Sequence, residues 1–513
     1  ASAASAASAA NDTVDEDGKV NGIMYQEGLP LVDEGDYTFS IFCDDSSESG
    51  EFIMLDEFKK QTNVDVDLKI YPYETATERL NLDLNSGDYA DVIGGWTLSD
   101  NAILTYGVNQ GVFIPLEDYF EKYCPNISAI LDLPGVREKM TAPDGHIYTI
   151  PYVCADTTVG YSPYINTKWL ENVGMSMPTT TDEFEAVLKA FKEQDANGNG
   201  DASDEIPFST DPNNKHIEAM AGYFGLPMNK LGIAIQNEKV VYGGVSDTYR
   251  EFLSWFHKLY AEGLVDVELY TQDSSTWEGK GNQDLYGVSI AYGSNEFTGI
   301  PAAEERGDFD SMPVLNTDKD GIWLRDTEGF SVYRTQAVIT NKAEHPEIIC
   351  RWFDNAFALE NGIGCNRGPV GVIVNKEDDG YHAIDTTTLS EEDQEKYSWG
   401  NLWPQSLPKY LPADFEFVEA HPMYDEKKAT EEAYEANLTK EIIPSYWIDL
   451  DKIDTFSDTN TAIKDFFEQQ QAQFVCGELD IDNDADWQAY VDGMYSLGLE
   501  DWVATQGIEE IAK

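Results

Sequence analysis

Alternation near the start of the chain limits the folds open to it. Tyr37, Phe39, Ile41 and Cys43 alternate with smaller or polar residues, the period-two signature of a strand. Phe52, Leu55 and Phe58 then recur at a spacing of three, which predicts a helix. Val64, Val66, Leu68 and Ile70 alternate strictly with Asp65, Asp67 and Lys69, a second strand. Strand, helix and strand within roughly 35 residues make a βαβ unit and hence a parallel sheet. Asp91-Val-Ile-Gly-Gly-Trp96 predicts a third short strand ending in a loop. Ligands of such sheets sit beyond the carboxyl ends of the strands. Asp44, Asp45 and Trp96 fall at that edge.

Further along, Ile147–Tyr152 predicts a short strand, and Tyr161–Trp169 opens a second α/β region. Thr180-Thr-Asp-Glu183 is a capping box. The helix behind it carries Phe184, Val187, Leu188 and Phe191 on one face. A second helix spans about Tyr249–Glu262, with Phe252, Leu253, Phe256, Leu259 and Tyr260 inward and Gly263 as its stop. Ala337–Thr340 predicts a strand, followed by a helix from Pro346 through Ala358. From about residue 385 the pattern is mostly helical, clearest over 429–438, 463–473 and 487–497. No repeat of fixed period is present.

At 513 residues the chain is too long for one core, so two or three domains are expected. Its 33 basic residues against 95 acidic ones give a net charge of −62, which excludes nucleic acid and anionic lipid as partners. The six cysteines form no CxxC pair and lie at no zinc-ligand spacing from a histidine. They read as single buried thiols, with Cys350 and Cys365 the pair to test first. No run of eighteen apolar residues occurs. Ala1–Ala10 repeats Ala and Ser, and an acidic stretch follows to Asp17. This composition predicts a flexible tether over residues 1–35.

Residues 195–205 read Asp-Ala-Asn-Gly-Asn-Gly-Asp-Ala-Ser-Asp-Glu, directly after a predicted helix. A hard cation such as Ca²⁺ takes six to eight oxygens, and alternate positions of a tight loop supply them. Asp195, Asn197 and Asn199 hold positions one, three and five, Gly200 takes the turn, and Asp201 offers its carbonyl. The twelfth position is Ile206 rather than Glu, so Asp204 or Glu205 must close the shell. The metal candidates are therefore Asp195, Asn197, Asn199, Asp201, Asp204 and Glu205.

The 11 tryptophans and 28 tyrosines suit a ligand with flat apolar faces rimmed by hydroxyls. Trp96 is the first candidate platform, at a strand end after Gly94-Gly95. Trp277, Trp323 and Trp399 with Trp403 sit in stretches without periodicity, with Arg325 beside Trp323. Trp169, Trp255 and Trp352 lie on helical faces and read as core. Polar candidates are Asp44, Asp45, Asp156, Tyr292, Asn295 and Arg367. No catalytic signature is present: there is no GxSxG, no Walker loop, no GxGxxG after a strand and no HExxH. No catalytic residue is assigned and the chain is read as a binding protein, not an enzyme.

Several stretches in order carry a family resemblance. They are Asp144-Gly-His-Ile-Tyr-Thr-Ile-Pro-Tyr152, Tyr164-Ile-Asn-Thr-Lys-Trp-Leu170, Pro178-Thr-Thr-Thr-Asp-Glu-Phe184 with the Asp-Ala-Asn-Gly-Asn-Gly loop, Leu259-Tyr-Ala-Glu-Gly-Leu264 and His345-Pro-Glu-Ile-Ile-Cys-Arg-Trp-Phe-Asp354. Together they resemble an extracellular solute-binding protein of a bacterial ABC importer, most of all the large carbohydrate-binding lipoproteins of Gram-positive bacteria. The resemblance implies a two-lobe, periplasmic-binding-protein-like α/β fold of type II. Each lobe would be a mainly parallel sheet flanked by helices, with a helix-rich C-terminal part. It implies lobe one over 36–153 and 337–384, lobe two over 154–336 and 385–513, and a ligand in the cleft between them. It further implies an oligosaccharide ligand, permease subunits as partners, a structural Ca²⁺, a monomer, and an extracellular location with a lipid anchor preceding residue 1. The alternatives are a secreted glycoside hydrolase, which needs two carboxylates roughly 5–10 Å apart, and a peptide-binding importer component.

Overall fold

The alternating residues near the start of the chain pair as the sequence pattern requires. In the computed structural model, which describes residues 12–45, 51–212, 216–299, 308–384, 386–412, 415, 417–418 and 422–512, the chain forms two units. The first comprises Ala1–Ala155, Phe330–Glu419 and Trp447–Ile453; the second comprises Asp156–Gly329, Ala420–Tyr446 and Asp454–Lys513. The architecture is mixed α/β.

The first unit is built on a five-stranded sheet in the order 64–71, 37–44, 92–94, 330–339, 149–155. Strands 37–44, 64–71 and 92–94 are parallel. Phe330–Ile339 runs antiparallel to both its neighbours. A purely parallel sheet is therefore ruled out by the return of the chain. Both faces are covered: Phe39 and Ile41 pack on one side, Phe42 and Ile93 on the other. One core centres on Trp352, from the Pro346–Ala356 helix. Its ring lies 5.3 Å from Phe39, 5.5 Å from Phe58 and 5.7 Å from Trp403.

Several boundaries differ from the sequence expectation, residues 330–336 and 447–453 falling in the first unit rather than the second. Residues 385–419, expected with the second lobe, belong to the first unit. The stretch has no apolar period to place it, and its backbone attaches to the sheet instead. Gln405 N–H donates to Asp45 Oδ2 at 2.7 Å, the Ser406 hydroxyl donates to the Asp44 carbonyl, and Val153 N–H donates to the Lys409 carbonyl at 3.1 Å. Similarly, the tether reading fails after residue 11: Lys19–Val20 pairs with Met24–Tyr25, and Val20, Met24, Leu31 and Val32 are buried in the first unit's core. The polar composition hid four apolar anchors. The Ala/Ser repeat at 1–10 lies outside the described residues.

The second unit has a four-stranded sheet ordered 309–311, 162–166, 286–291, 206–210, and a three-stranded one ordered 510–511, 239–242, 233–236. Strand 286–291 is parallel to 206–210 and antiparallel to 162–166. The Thr181–Glu193 helix buries Phe184, Val187, Leu188 and Phe191. Thr180 Oγ1 accepts from Glu183 N–H at 3.2 Å, while the Glu183 carboxylate reaches back to Thr179 rather than to the cap itself. Helices Asp247–Ala261, Ile453–Cys476 and Asp484–Ser496 complete its core.

Cysteines 43, 124, 350 and 365 are buried, Cys154 is half-buried and Cys476 is exposed, all as free thiols. The thiol interacting with Cys124 is Cys350, so Cys350 neighbours Cys124 rather than the Cys365 named first for testing. Cys350 and Asp354 are one helical turn apart, and Asp354 binds Asn126 and Ile127 beside Cys124.

Replacing Trp352 by Ala should destabilise the first unit by about 3–5 kcal/mol, the range for a large aromatic lost from a packed core. Urea unfolding monitored by the remaining fluorescence checks this; a loss under about 1 kcal/mol would mean the site collapses without a cavity.

Candidate functional site

At the strand ends of the first unit, Gly95 has φ +132°, and an added Cβ would sit 2.5 Å from the Asp44 carboxylate. Only glycine lets the backbone wrap so closely. Asp44 is fully buried. Its two oxygens accept from Trp96 N–H at 2.9 Å and Thr97 N–H at 2.6 Å. Asp45 is buried and accepts from Gln405. These carboxylates are thus not presented to a ligand; Asp44 holds the loop that displays Trp96.

Trp96 is 44% exposed. Its ring meets Tyr333 edge-on at 5.4 Å, and Tyr333 stacks on Tyr152 at 5.5 Å and 18°. Tyr152 and Tyr333 are cross-strand partners. Lys409 Nζ lies 5.0 Å from the Tyr152 ring centre and 5.8 Å from that of Trp399, which is 54% exposed. The ammonium donates to Gln405 Oε1 at 2.5 Å. Burial pulls the Lys409 amine down to about 8. Three exposed rings therefore stand in one array, anchored by a buried cation. Arg367 lies close enough to Lys409 and Tyr152 for its charge to act on both.

In the second unit the array centres on Tyr292, just past the Tyr286–Ala291 strand. Its hydroxyl donates to Asp156 Oδ1 at 3.2 Å. Lys427 Nζ stands 3.7 Å over its ring and donates to the Gly160 carbonyl at 2.9 Å. Asp326 Oδ2 accepts from Gly160 N–H at 2.7 Å, and Glu296 Oε2 from Tyr292 N–H at 2.9 Å. Tyr161 lies 6.0 Å from Tyr292 and stacks on His216 at 4.0 Å and 10°. Burial pulls the Lys427 amine down to about 8. Crowding by protein, with Asp156 repulsion added, pushes Asp326 up to about 6, although the side chain keeps an exposed edge. Asn295 starts the short Asn295–Thr298 helix and is half-buried.

Three expected platforms are core instead. Trp277 is 2% exposed on a helix, with its indole N–H donating to Ser289 Oγ. Trp323 is 1% exposed on a short strand, and Trp403 is 0% exposed against Trp352. Their stretches lack periodicity: Trp323 sits on a three-residue strand, Trp403 on no element, and the helix carrying Trp277 buries only Trp277 and Gly281. Arg325 is tied to Thr439 and Glu435. The sequence reading passed over Tyr152, Tyr161, His216, Glu296, Asp326, Tyr333, Lys409 and Lys427. A legible signal existed for Tyr152 and Tyr333, as aromatics beside predicted strand ends; the others come together only through the fold.

The oxygen-rich loop forms at the end of the Thr181–Glu193 helix, with Gly198 and Gly200 at positive φ. Asp195 Oδ2 accepts from Gly200 N–H at 3.0 Å, Asn199 Oδ1 from Asp201 N–H at 2.7 Å and Glu205 Oε1 from Ala196 N–H at 2.9 Å. Asp204 accepts from the Asn197 and Asn199 amides, and Asp201 turns to Ser203. The second oxygens of Asp195 and Glu205 are buried without a partner. Two orphaned carboxylate oxygens in one loop fit a hard cation, since a buried unpaired acceptor is otherwise costly.

A family model described as bacterial extracellular solute-binding protein matches residues 51–362. The fructooligosaccharide ABC transporter substrate-binding protein FusA of Streptococcus pneumoniae is 33% identical over 335 residues, covering 63% of this chain and 61% of the relative. Lipoprotein LipO of Bacillus subtilis is 28% identical over 53% of this chain and 52% of its own length. The chain thus spans about half to three fifths of the curated relatives it matches. Among solved structures, S. pneumoniae FusA in complex with kestose superposes with a TM-score of 0.80 at 27% identity, over 91% of this chain and 98% of that one. These likenesses agree with the periplasmic-binding-protein-like α/β fold expected from sequence.

Asp326 gives a signed pH test. Its folded carboxyl keeps the proton up to about 6, above the ordinary value near 4, so its ionisation opposes folding. That cost is present in full above pH 6 and vanishes below about pH 4. Asp326→Asn should therefore gain stability relative to the parent at pH 7, with the gap closing as pH falls toward 4. Paired thermal melts across that range test it; a gap independent of pH would refute it.

Proposed function

Because the chain belongs to the bacterial extracellular solute-binding protein family, we propose that it is the substrate-capturing component of an ABC importer and that its substrate is an oligosaccharide. The observation that carries this reading is the pair of aromatic arrays: Trp96, Tyr333, Tyr152 and Trp399 in the first unit, Tyr292, Tyr161 and His216 in the second. Sugar rings offer C–H faces that stack on such rings, and hydroxyls that donate to neighbouring carboxylates. Asp156 and Asn295 are the polar contacts closest to Tyr292 in sequence or bonding, and Arg367 with Lys409 plays that part near Tyr152. Capture requires no bond to be made or broken, in keeping with a family of binding proteins. The similarity to a fructooligosaccharide-binding relative supports a sugar ligand.

Calcium is proposed for the 195–205 loop, with Asp195, Asn197, Asn199 and the Asp201 carbonyl as ligands and Glu205 closing the shell. The orphaned Asp195 and Glu205 oxygens support it, as does the existence of an EF-hand mutant of S. pneumoniae FusA. Asp204 is assigned instead to holding the two asparagine amides. The ion would supply charge neutralisation to an acidic loop. The protein is proposed to act as a monomer outside the cell, at the membrane surface beside its permease subunits and lipid-anchored; a lipoprotein relative supports the anchor.

Isothermal titration against a panel of oligosaccharides should give saturable binding with the glycan recovered intact. Released products would turn the reading toward a hydrolase, and binding of peptides alone would end it. Trp96→Ala should weaken glycan binding by more than about 1 kcal/mol, the scale of an aromatic contact; unchanged affinity removes Trp96 from the site. Chelation should lower the melting temperature while leaving sugar preference intact, and Glu205→Gln should abolish the response to added Ca²⁺. A melting temperature indifferent to chelator would dismiss the ion.

A further inference from the structure

The second unit's array is unusual in its charge. Around Tyr161 and Tyr292 stand Asp156, Asp211, Glu278, Glu296 and Asp326. Lys427 stands against them, its ammonium over Tyr292 and donating to Gly160, and Lys230 acts on His216 at the edge of the array. Glu296, Glu426, Asp156 and Asp326 all act on the Lys427 amine. His216 adds no charge, because burial pulls its imidazole down to about 4.

An ionised carboxylate only accepts hydrogen bonds. A ring of them suits a ligand with donors to offer, and each sugar hydroxyl brings one O–H donor. It is hostile to a ligand that brings carboxylates or sulfates of its own: such groups need guanidinium or ammonium partners. The existing carboxylates already repel one another. Glu278 is raised by burial and then by Asp211; Glu296 is raised by burial first, with Asp211 and Glu278 adding to it.

Resting on the oligosaccharide reading above, we infer that the ligand is a neutral glycan, and that the Asp156, Asp211, Glu278, Glu296 and Asp326 carboxylates exclude uronate- and sulfate-bearing glycans by charge. Selectivity then comes from a repulsive element as much as from the aromatic contacts. Glu278 is exposed, as is Asp326, and Asp211 is anchored by the Ser274 hydroxyl at 2.7 Å. Glu278 and Asp211 can be neutralised without disturbing the Tyr292 hydrogen bonds.

The full chain with Ca²⁺ is titrated, at low and at high salt, with length-matched neutral fructans and glucans and with oligogalacturonate and a sulfated oligosaccharide. The expected result is saturable binding of at least one neutral series and at least a hundredfold weaker binding of the acidic ones at low salt. The Asp211→Asn, Glu278→Gln double variant should raise the ratio of acidic to neutral affinity at least tenfold. An acidic glycan bound as tightly as any neutral one overturns this inference and leaves sugar capture standing. An unchanged ratio in a variant that melts with the parent also overturns it, because the exclusion would not come from these groups. Failure of every glycan to bind overturns the oligosaccharide reading and this inference with it.

Discussion

The antiparallel pairing of Phe330–Ile339 with Thr149–Ala155 is the constraint on which the rest of the structure depends. Phe330 faces Ala155 across the ladder, and one residue further on Asp156 N–H donates to the Gly329 carbonyl at 3.1 Å. The residues from 156 to 329 thus leave and re-enter the first unit at adjacent positions. Closing a loop that long costs entropy that grows only as the logarithm of its length. The ladder, flanked on its other side by Val92–Gly94, offsets that cost with backbone hydrogen bonds inside a sheet buried on both faces. It also fixes why the sheet is mixed: a chain that returns at the same point must run against its neighbour.

The same ladder positions candidate residues of each unit. Tyr152 and Tyr333 are partners on it in the first unit; in the second, Asp156 follows its first strand and Asp326 precedes its second. All four lie within a few positions of the ladder's end, although more than 150 residues of sequence separate the two strands. Cross-strand aromatic pairs stabilise a sheet by contact, so Tyr152 and Tyr333 serve the fold whether or not a ligand is present. What makes Tyr333 a candidate contact is exposure: it keeps 37% of its surface in water, while Tyr152 beneath it is half-buried.

Local periodicity made the framework legible and left most of the site unread. The 37–70 alternation, the Thr180 cap and the Phe184–Phe191 face each form as their spacing demands, because those signals depend on neighbours a few residues away. Trp277, Trp323 and Trp403 went wrong for the converse reason. Trp323 and Trp403 sit on three residues of strand and on no element, the Trp277 helix buries only Trp277 and Gly281, and the absence of period was read as exposure. Asp44 was placed at the correct edge, but its role is set by Gly95, whose missing side chain admits the carboxylate to the Trp96 and Thr97 amides. Lys427 and Glu296 carry no local signal: a lysine on a helix and a glutamate in a short turn acquire meaning only over the same tyrosine.

The two uses of carboxylate in the second unit differ in what satisfies them. In the 195–205 loop, Asp195 and Glu205 each retain a buried oxygen with no donor, the feature on which the proposed cation rests. Around Tyr292 the acids have donors already: Tyr292 N–H for Glu296, Gly160 N–H for Asp326, the Tyr292 hydroxyl for Asp156. Because those donors are neutral, the charge remains, and it is held in place by backbone that cannot relax away. A chain of net charge −62 can scatter most of its acids in water, where they cost little. Burying acids about an aromatic pair raises the proton affinity of Asp326 and Glu296, and the Asp326 shift opposes folding. Such a cost is kept where the field itself selects what may approach, and a ligand rich in hydroxyls and free of charge is the one such a field admits.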